Sequence, residues 1–417
     1  MMRSASGRAH RWAVPLITIA LASVLVEGGG GSVPGPVGTS NLLHGVGTAS
    51  GTPEANVAPS GVISVPQGAY GIAYDTANGN LFVAGLRSVT VIGGATNSLI
   101  TTIPTRKDSQ LITDAFDAAN GNVYVTAYNN TFQGVEGVVF AINTATDHVV
   151  GAIPVGIDPR AIAYDSSNGY LYVANCYANG AVPGNVSVID PAAGTVVRWV
   201  PTGICPGGIA VDSDNGDVYV SNGASGDITV IDGTTDLTVG SIDLAPAGLA
   251  GIAFDSSNGY LYVTSSTGGF SNGSYFVTAI DGATNQVVGT IPVGLEATAV
   301  AFDGSTGDLY VVDGTWLMNS GNVTVINGAT DRVVRTVPVE PYPISIAIDG
   351  STGCVYVGSW QSNNLTYFDC FPPGAVALIG YWVIGVPVGA LVVAGVVILG
   401  VVRKRETSEE PPPFSAR

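Results

Sequence analysis

One paragraph of sequence is written seven times along this chain. Its clearest copy, Pro154 to Asn175, reads PVGIDPRAIAYDSSNGYLYVAN. An apolar run, Ala161 to Tyr164, leads into Asp165 and a turn closed by Asn168-Gly169, and a second run follows from Tyr170 to Ala174. Asn-Gly between two such runs marks a hairpin, because glycine reaches positive φ without a Cβ clash. The counterparts of Asp165 are Asp75, Asp117, Asp212, Asp255, Asp303 and Asp349, and the seven aspartates are spaced by 42, 48, 47, 43, 48 and 46 residues. A unit of this length, built only of strands and turns, predicts an all-β fold, a seven-bladed β-propeller.

Blade 3 supplies the template, with strand A at about 160–165, B at 170–174, C at 185–190 and D at 195–200. Pro201 is expected to end strand D, as Pro104, Pro154, Pro292 and Pro338 would elsewhere, since proline donates nothing to a ladder. The seventh unit has strands A, B and C but no D. Its missing strand is matched at the other end of the repeat region by Gly61-Val62-Ile63-Ser64-Val65-Pro66. The ring is therefore expected to be closed by the N-terminal strand, which also removes its free sheet edges. In such a disc the B–C and D–A loops share one face, and the A–B and C–D turns share the other. The B–C loops differ in length between blades, as variable binding loops on a constant scaffold do.

The second strands end in FVAG (Phe82), YVTA (Tyr124), YVAN (Tyr172), YVSN (Tyr219), YVTS (Tyr262), YVVD (Tyr310) and YVGS (Tyr356). With the preceding Asp…Asn-Gly turn, these motifs resemble the YVTN family of β-propellers, over roughly residues 61–370. The resemblance implies the propeller fold and a place among archaeal or bacterial surface-layer-type proteins. It implies no particular activity.

The ends read differently. Arg3, Arg8 and Arg11 precede a 15-residue apolar run, Trp12 to Val26, so residues 1–26 read as a signal peptide, with an uncleaved anchor as the alternative. Residues 27–60, rich in Gly, Pro, Ser and Thr, read as a flexible linker. Residues 375–402 are 28 residues without a charge, followed by Arg403-Lys404-Arg405. They read as a transmembrane helix with a positive-inside stop, leaving 403–417 as a cytoplasmic tail and the propeller outside the cell.

The formal charge of −17 argues against a nucleic-acid partner. Much of the acid is Asp in the repeat turns, where turn chemistry accounts for it. A sparsely charged surface suited to acidic surroundings is the sharper expectation. Within the ring the single histidine is His148, so no His cluster, triad or haem-attachment motif is available, and no cofactor is implied. Asp212 to Asp217 resembles a calcium loop, but Gly216 stands at the fifth ligand position, and no metal ligand is assigned.

Four cysteines in an exported chain suggest two bridges. Ring order brings Cys176 beside Cys205 on one face, and antiparallel pairing brings Cys354 beside Cys370. Free buried thiols are the alternative. Asn-x-Ser/Thr sequons at Asn129, Asn185, Asn272, Asn322 and Asn364 are glycosylation candidates, although Asn-Val-Thr-Val is also an ordinary strand start. The D–A loops place Arg106, Lys107, Asp108, Asp158, Arg160, Glu296, Glu340 and Tyr342 around one mouth. In a chain so poor in charge, this cluster suggests a polar-ligand site.

The expected function is a non-enzymatic, membrane-anchored surface module for binding, adhesion or surface-layer association, with a glycan or an envelope protein as partner. The alternative is an extracytoplasmic propeller enzyme, lactonase- or lyase-like, using the mouth carboxylates and a divalent metal. A docking or sensor subunit is a third reading.

Overall fold

The computed structural model describes residues 58–370, apart from 107–108, 132–133, 178–181, 245–247, 268–272 and 316–318; it also leaves out the side chains of 129–136 and 315. The signal peptide, the linker up to residue 57, the transmembrane segment and the tail expected from the sequence lie outside these residues, as do Lys107, Asp108 and Asn272. Among the described residues no helix is long and apolar enough to cross a membrane.

Seven four-stranded antiparallel sheets form the blades. Blade 3 consists of strands A (Pro159–Asp165), B (Tyr170–Asn175), C (Pro183–Asp190) and D (Thr195–Ile204). Blade 7 consists of A (Pro343–Asp349), B (Cys354–Ser359), C (Asn364–Phe368) and, as its outermost strand, Gly61–Ser64. Gly61 pairs with Tyr367, Val62 with Thr366, Ile63 with Leu365 and Ser64 with Asn364. Ile63 is the inward residue of that strand, as Ile103, Ile153, Val200, Ile242, Ile291 and Val337 are in the D strands. One buried aliphatic per outer strand therefore sets the register of closure.

The B and C strands are buried on both faces, and the apolar core is divided into wedges between neighbouring blades. Tyr172, Val186 and Val188 of blade 3, for example, pack with Val218, Val220 and Ile231 of blade 4. Five of the wedges carry a tyrosine staple on the A–B/C–D face. In blade 3, Asp165 Oδ1 accepts from the Ser167 amide (2.8 Å) and hydroxyl (2.7 Å), and the Gly169 amide returns to the Asp165 carbonyl. Asn168 Nδ2 then donates to the Gly233 carbonyl of blade 4, and the Tyr172 hydroxyl donates to Asp236 Oδ1, both at 2.8 Å. The recurrent tyrosine reaches the same turn position of the next blade from Tyr219 (Asn285), Tyr262 (Asp331), Tyr310 (Asp369) and Tyr356 (Asn97). Arg335 also pairs with Asp369, and this half-buried ion pair locks blade 6 onto the closing blade.

In the A–B turns glycine is the residue at positive φ (Gly169, 78°), as expected, and the turn is opened by an Asx bond to Asp165. One local expectation is corrected. Pro154, Pro201 and Pro338 do not terminate their D strands; they lie within them, paired with Val138, Asn185 and Asn322. An edge strand tolerates proline because the missing N–H faces solvent.

Candidate functional site

The inner A strands surround a central channel that opens on the B–C/D–A face into a wider mouth. The mouth cavity has a volume of about 550 Å³ and is lined in part by Tyr128, Asp158, Arg160 and Leu249. The channel beneath has a volume of about 340 Å³, and Arg160 lines both cavities.

The D–A loops that rim the mouth are held from below. The last residue of strand B binds a hydroxyl of strand C, and that hydroxyl faces the loop backbone. Asn175 Nδ2 donates to Ser187 Oγ at 2.9 Å, which accepts from the Gly156 amide at 3.4 Å; Asn222, Thr229 and the Gly203 amide repeat this in blade 4. In blade 6 Asp313 takes the asparagine's place and accepts from Thr324 Oγ1 at 2.5 Å. Burial pushes the Asp313 carboxyl up to about 6, against the lowering effect of Thr324 and the Gly294 amide. Asp313 is thus engaged in holding its loop.

The loops end in a left-handed residue: Gly68, Asp158, Cys205, Glu296 and Tyr342 all have φ between 54° and 87°. A non-glycine side chain there costs about 1 kcal/mol of backbone strain. Four of these five positions nevertheless carry a side chain.

The sequence-derived residues divide into four groups. Asp158 and Arg160 come together, with Nε and Nη2 of Arg160 donating to Asp158 Oδ2 at 3.0 and 2.9 Å; the Arg160 side chain is 49% exposed. Glu296 is buried, and Glu340 accepts from Asn364 Nδ2 at 3.3 Å, so both acids are drawn back from the opening. Arg106 is exposed, and its carbonyl accepts from Ser109. Tyr342 joins a group that sequence reasoning missed. Its ring lies 6.4 Å from Trp360 at an edge-on angle, and Trp360 lies 6.2 Å from Tyr70, which lines the channel. Tyr128 donates to Gln110 at 2.8 Å; burial, then the negative charge of Asp158, raise its hydroxyl above the ordinary tyrosine value.

A second missed residue is Asp114. Three residues before the recurrent aspartate the other blades carry Ile72, Ile162, Ile209, Ile252, Val300 and Ile346, and blade 2 carries Asp114. It lines the channel at 9% exposure, and neither carboxyl oxygen closes a hydrogen bond. Burial raises it well above the ordinary carboxyl range, which the nearby amides of Ala73 and Asp114 itself only partly offset. Superposing the seven copies of the repeat would have exposed this position from sequence alone.

Both disulfides are formed, Cys176–Cys205 across the blade 3–4 seam at the mouth and Cys354–Cys370 in the closing blade. Among the sequons, Asn185, Asn322 and Asn364 are half-buried. The Asn185 amide nitrogen donates to the Tyr177 hydroxyl at 3.2 Å and that of Asn364 to Glu340, so each has a structural role at the start of strand C. The Asn129 side chain lies outside the described residues. Among the described residues no group of three or more His, Cys, Asp or Glu side chains converges as metal ligands would.

No family model matches the chain, and no curated protein matches it. Among solved structures it is similar to Kuenenia stuttgartiensis hydrazine synthase, at 19% identity and a TM-score of 0.63, over 79% of this chain and 100% of that one. At that identity the likeness is one of fold.

Proposed function

We propose that this protein is a non-enzymatic cell-surface binding module of the YVTN type, whose mouth takes a saccharide of the cell envelope. The observation that carries the reading is that an aromatic group, Tyr342–Trp360–Tyr70, and the exposed Arg160–Asp158 fork lie on the same B–C/D–A face of the ring. Sugar rings present apolar C–H faces and peripheral hydroxyls, which suit aromatic side chains and a charged donor–acceptor pair respectively. The Arg160–Asp158 pair costs little to open toward a ligand, because Arg160 is half in solvent.

Residues 375–402 would anchor the module in the membrane, with the mouth pointing away from it. This fits the exit of strand C of blade 7, which ends at Phe368 on the face opposite the mouth. The enzymatic alternative has less support. It requires mouth carboxylates free to act together, whereas Asp158 is held by Arg160, Glu340 by Asn364, and Glu296 is buried.

Binding of the intact, detergent-solubilised chain to a glycan array tests the proposal. Trp360→Ala and Arg160→Ala are each expected to weaken the retained glycan about tenfold or more, with unchanged circular dichroism. Absence of any bound glycan, or a bound glycan indifferent to both substitutions, would overturn it.

A further inference from the structure

The channel beneath the mouth has a chemistry of its own. Six of its seven repeat-equivalent positions are aliphatic, and the seventh is Asp114. Its Oδ1 lies where a Cβ on Gly71 would sit, at 2.7 Å, so glycine in the neighbouring blade makes room for the carboxyl. Only the backbone amides of Ala73 and of Asp114 itself lie close, and no side chain closes a hydrogen bond to either buried oxygen. A cation, Arg160, lines the same channel and pairs with Asp158 through two contacts at 3.0 and 2.9 Å, and no hydrogen bond joins it to Asp114. A buried polar group without a partner is destabilising. Every other blade avoids that cost with Ile or Val.

We infer that the channel is a binding site for a small aliphatic ammonium compound, with Asp114 as the acceptor for its charged end. Rotation about χ1, a fast motion for a side chain, turns the carboxyl into the lumen, where an R–NH₃⁺ group supplies the partner it lacks. The aliphatic ring takes the hydrocarbon part. The lining is mixed, with the six aliphatic side chains set among Tyr70, Thr113, Thr298 and Ser345, so a ligand with a charged end and a hydrocarbon body finds a partner for each part. A volume of about 340 Å³ admits such a molecule through the mouth. Tyr70 and Arg160, which the saccharide reading also uses, line this channel, so the test turns on Asp114, which that reading does not use.

The test is calorimetric titration of the intact chain with n-hexylammonium chloride, with hexanoate and hexan-1-ol as controls. The amine is expected to bind at least about tenfold more tightly than hexanoate, a difference of about 1.4 kcal/mol. Asp114→Asn is expected to remove that preference while leaving hexanol binding within about twofold. Asp114→Ile, which restores the residue type of the other six blades, is expected to fold and to abolish amine binding. The inference is overturned if the amine fails to bind the folded chain, binds no better than hexanoate, or keeps its preference in either variant.

Discussion

The seam between blades 1 and 2 and the seam between blades 3 and 4 are written with the same paragraph and built differently. At the 3–4 seam, Tyr172 donates to Asp236 on one face, and Ile209 fills the channel end. At the 1–2 seam, Phe82 stands in place of the tyrosine, so Asp147 in the matching turn position keeps a buried Oδ1 without a partner, and Asp114 replaces the isoleucine. Burial raises the Asp147 carboxyl, with His148 only partly opposing it. One seam thus obeys the repeat rule at both ends, and the other breaks it at both. When local rules agree with the fold almost everywhere, departures of this kind mark places selected for something besides stability.

Four substitutions sharpen or break that comparison, in falling order of effect. Gly71→Ala should cost about 3 kcal/mol, because the new Cβ would lie 2.6 Å from Thr113 Cα, a backbone atom that cannot move alone. Blade 3 already carries Ala161 at this position, so a urea midpoint barely moved by Gly71→Ala would show that the two seams do not differ in packing.

Asp114→Ile should raise stability by about 2 kcal/mol at neutral pH. The pH dependence follows from the direction of the shift. A carboxyl raised on folding binds its proton more tightly in the folded state, so its contribution is most favourable at low pH. That contribution is lost as pH rises from the ordinary carboxyl value through the raised one. Tyr70 and Arg160 are the other ionisable side chains lining this channel. Unfolding curves should therefore show the two proteins converging toward about pH 4 and diverging toward about pH 8; a constant gap would place the effect outside Asp114 ionisation.

Tyr172→Phe should cost about 1.5 kcal/mol, since it copies the blade 1 defect into the 3–4 seam and strands buried Asp236. The reciprocal Phe82→Tyr should return about 1 kcal/mol by giving Asp147 its missing donor. If both changes destabilise, the tyrosine–Asx staple is not what separates the seams.

The ring was legible in the sequence because its devices repeat at fixed places: Asp opens each A–B turn, glycine closes it, and an aromatic residue follows three positions later, reaching the next blade from five of the seven. The disulfides were legible for a related reason, since blade order alone places Cys176 and Cys205 on one face. The prolines misled because an outermost strand keeps its ladder on the other side. Asp114 was hidden among many aspartates, and only its departure from six aligned neighbours gives it away. The Tyr342–Trp360–Tyr70 group was hidden by distance, because Tyr70 and Trp360 meet only once the last blade lies beside the first.

The pairing of Gly61–Ser64 with Asn364–Phe368 also sets a timetable. A ribosome makes the opening strand first and its mate some three hundred residues later, so the earliest segment waits while six sheets form behind it. Until then the nascent array has two raw edges and an unsealed first wedge. Whatever shields Val62 and Ile63 during that interval governs the yield of intact molecules.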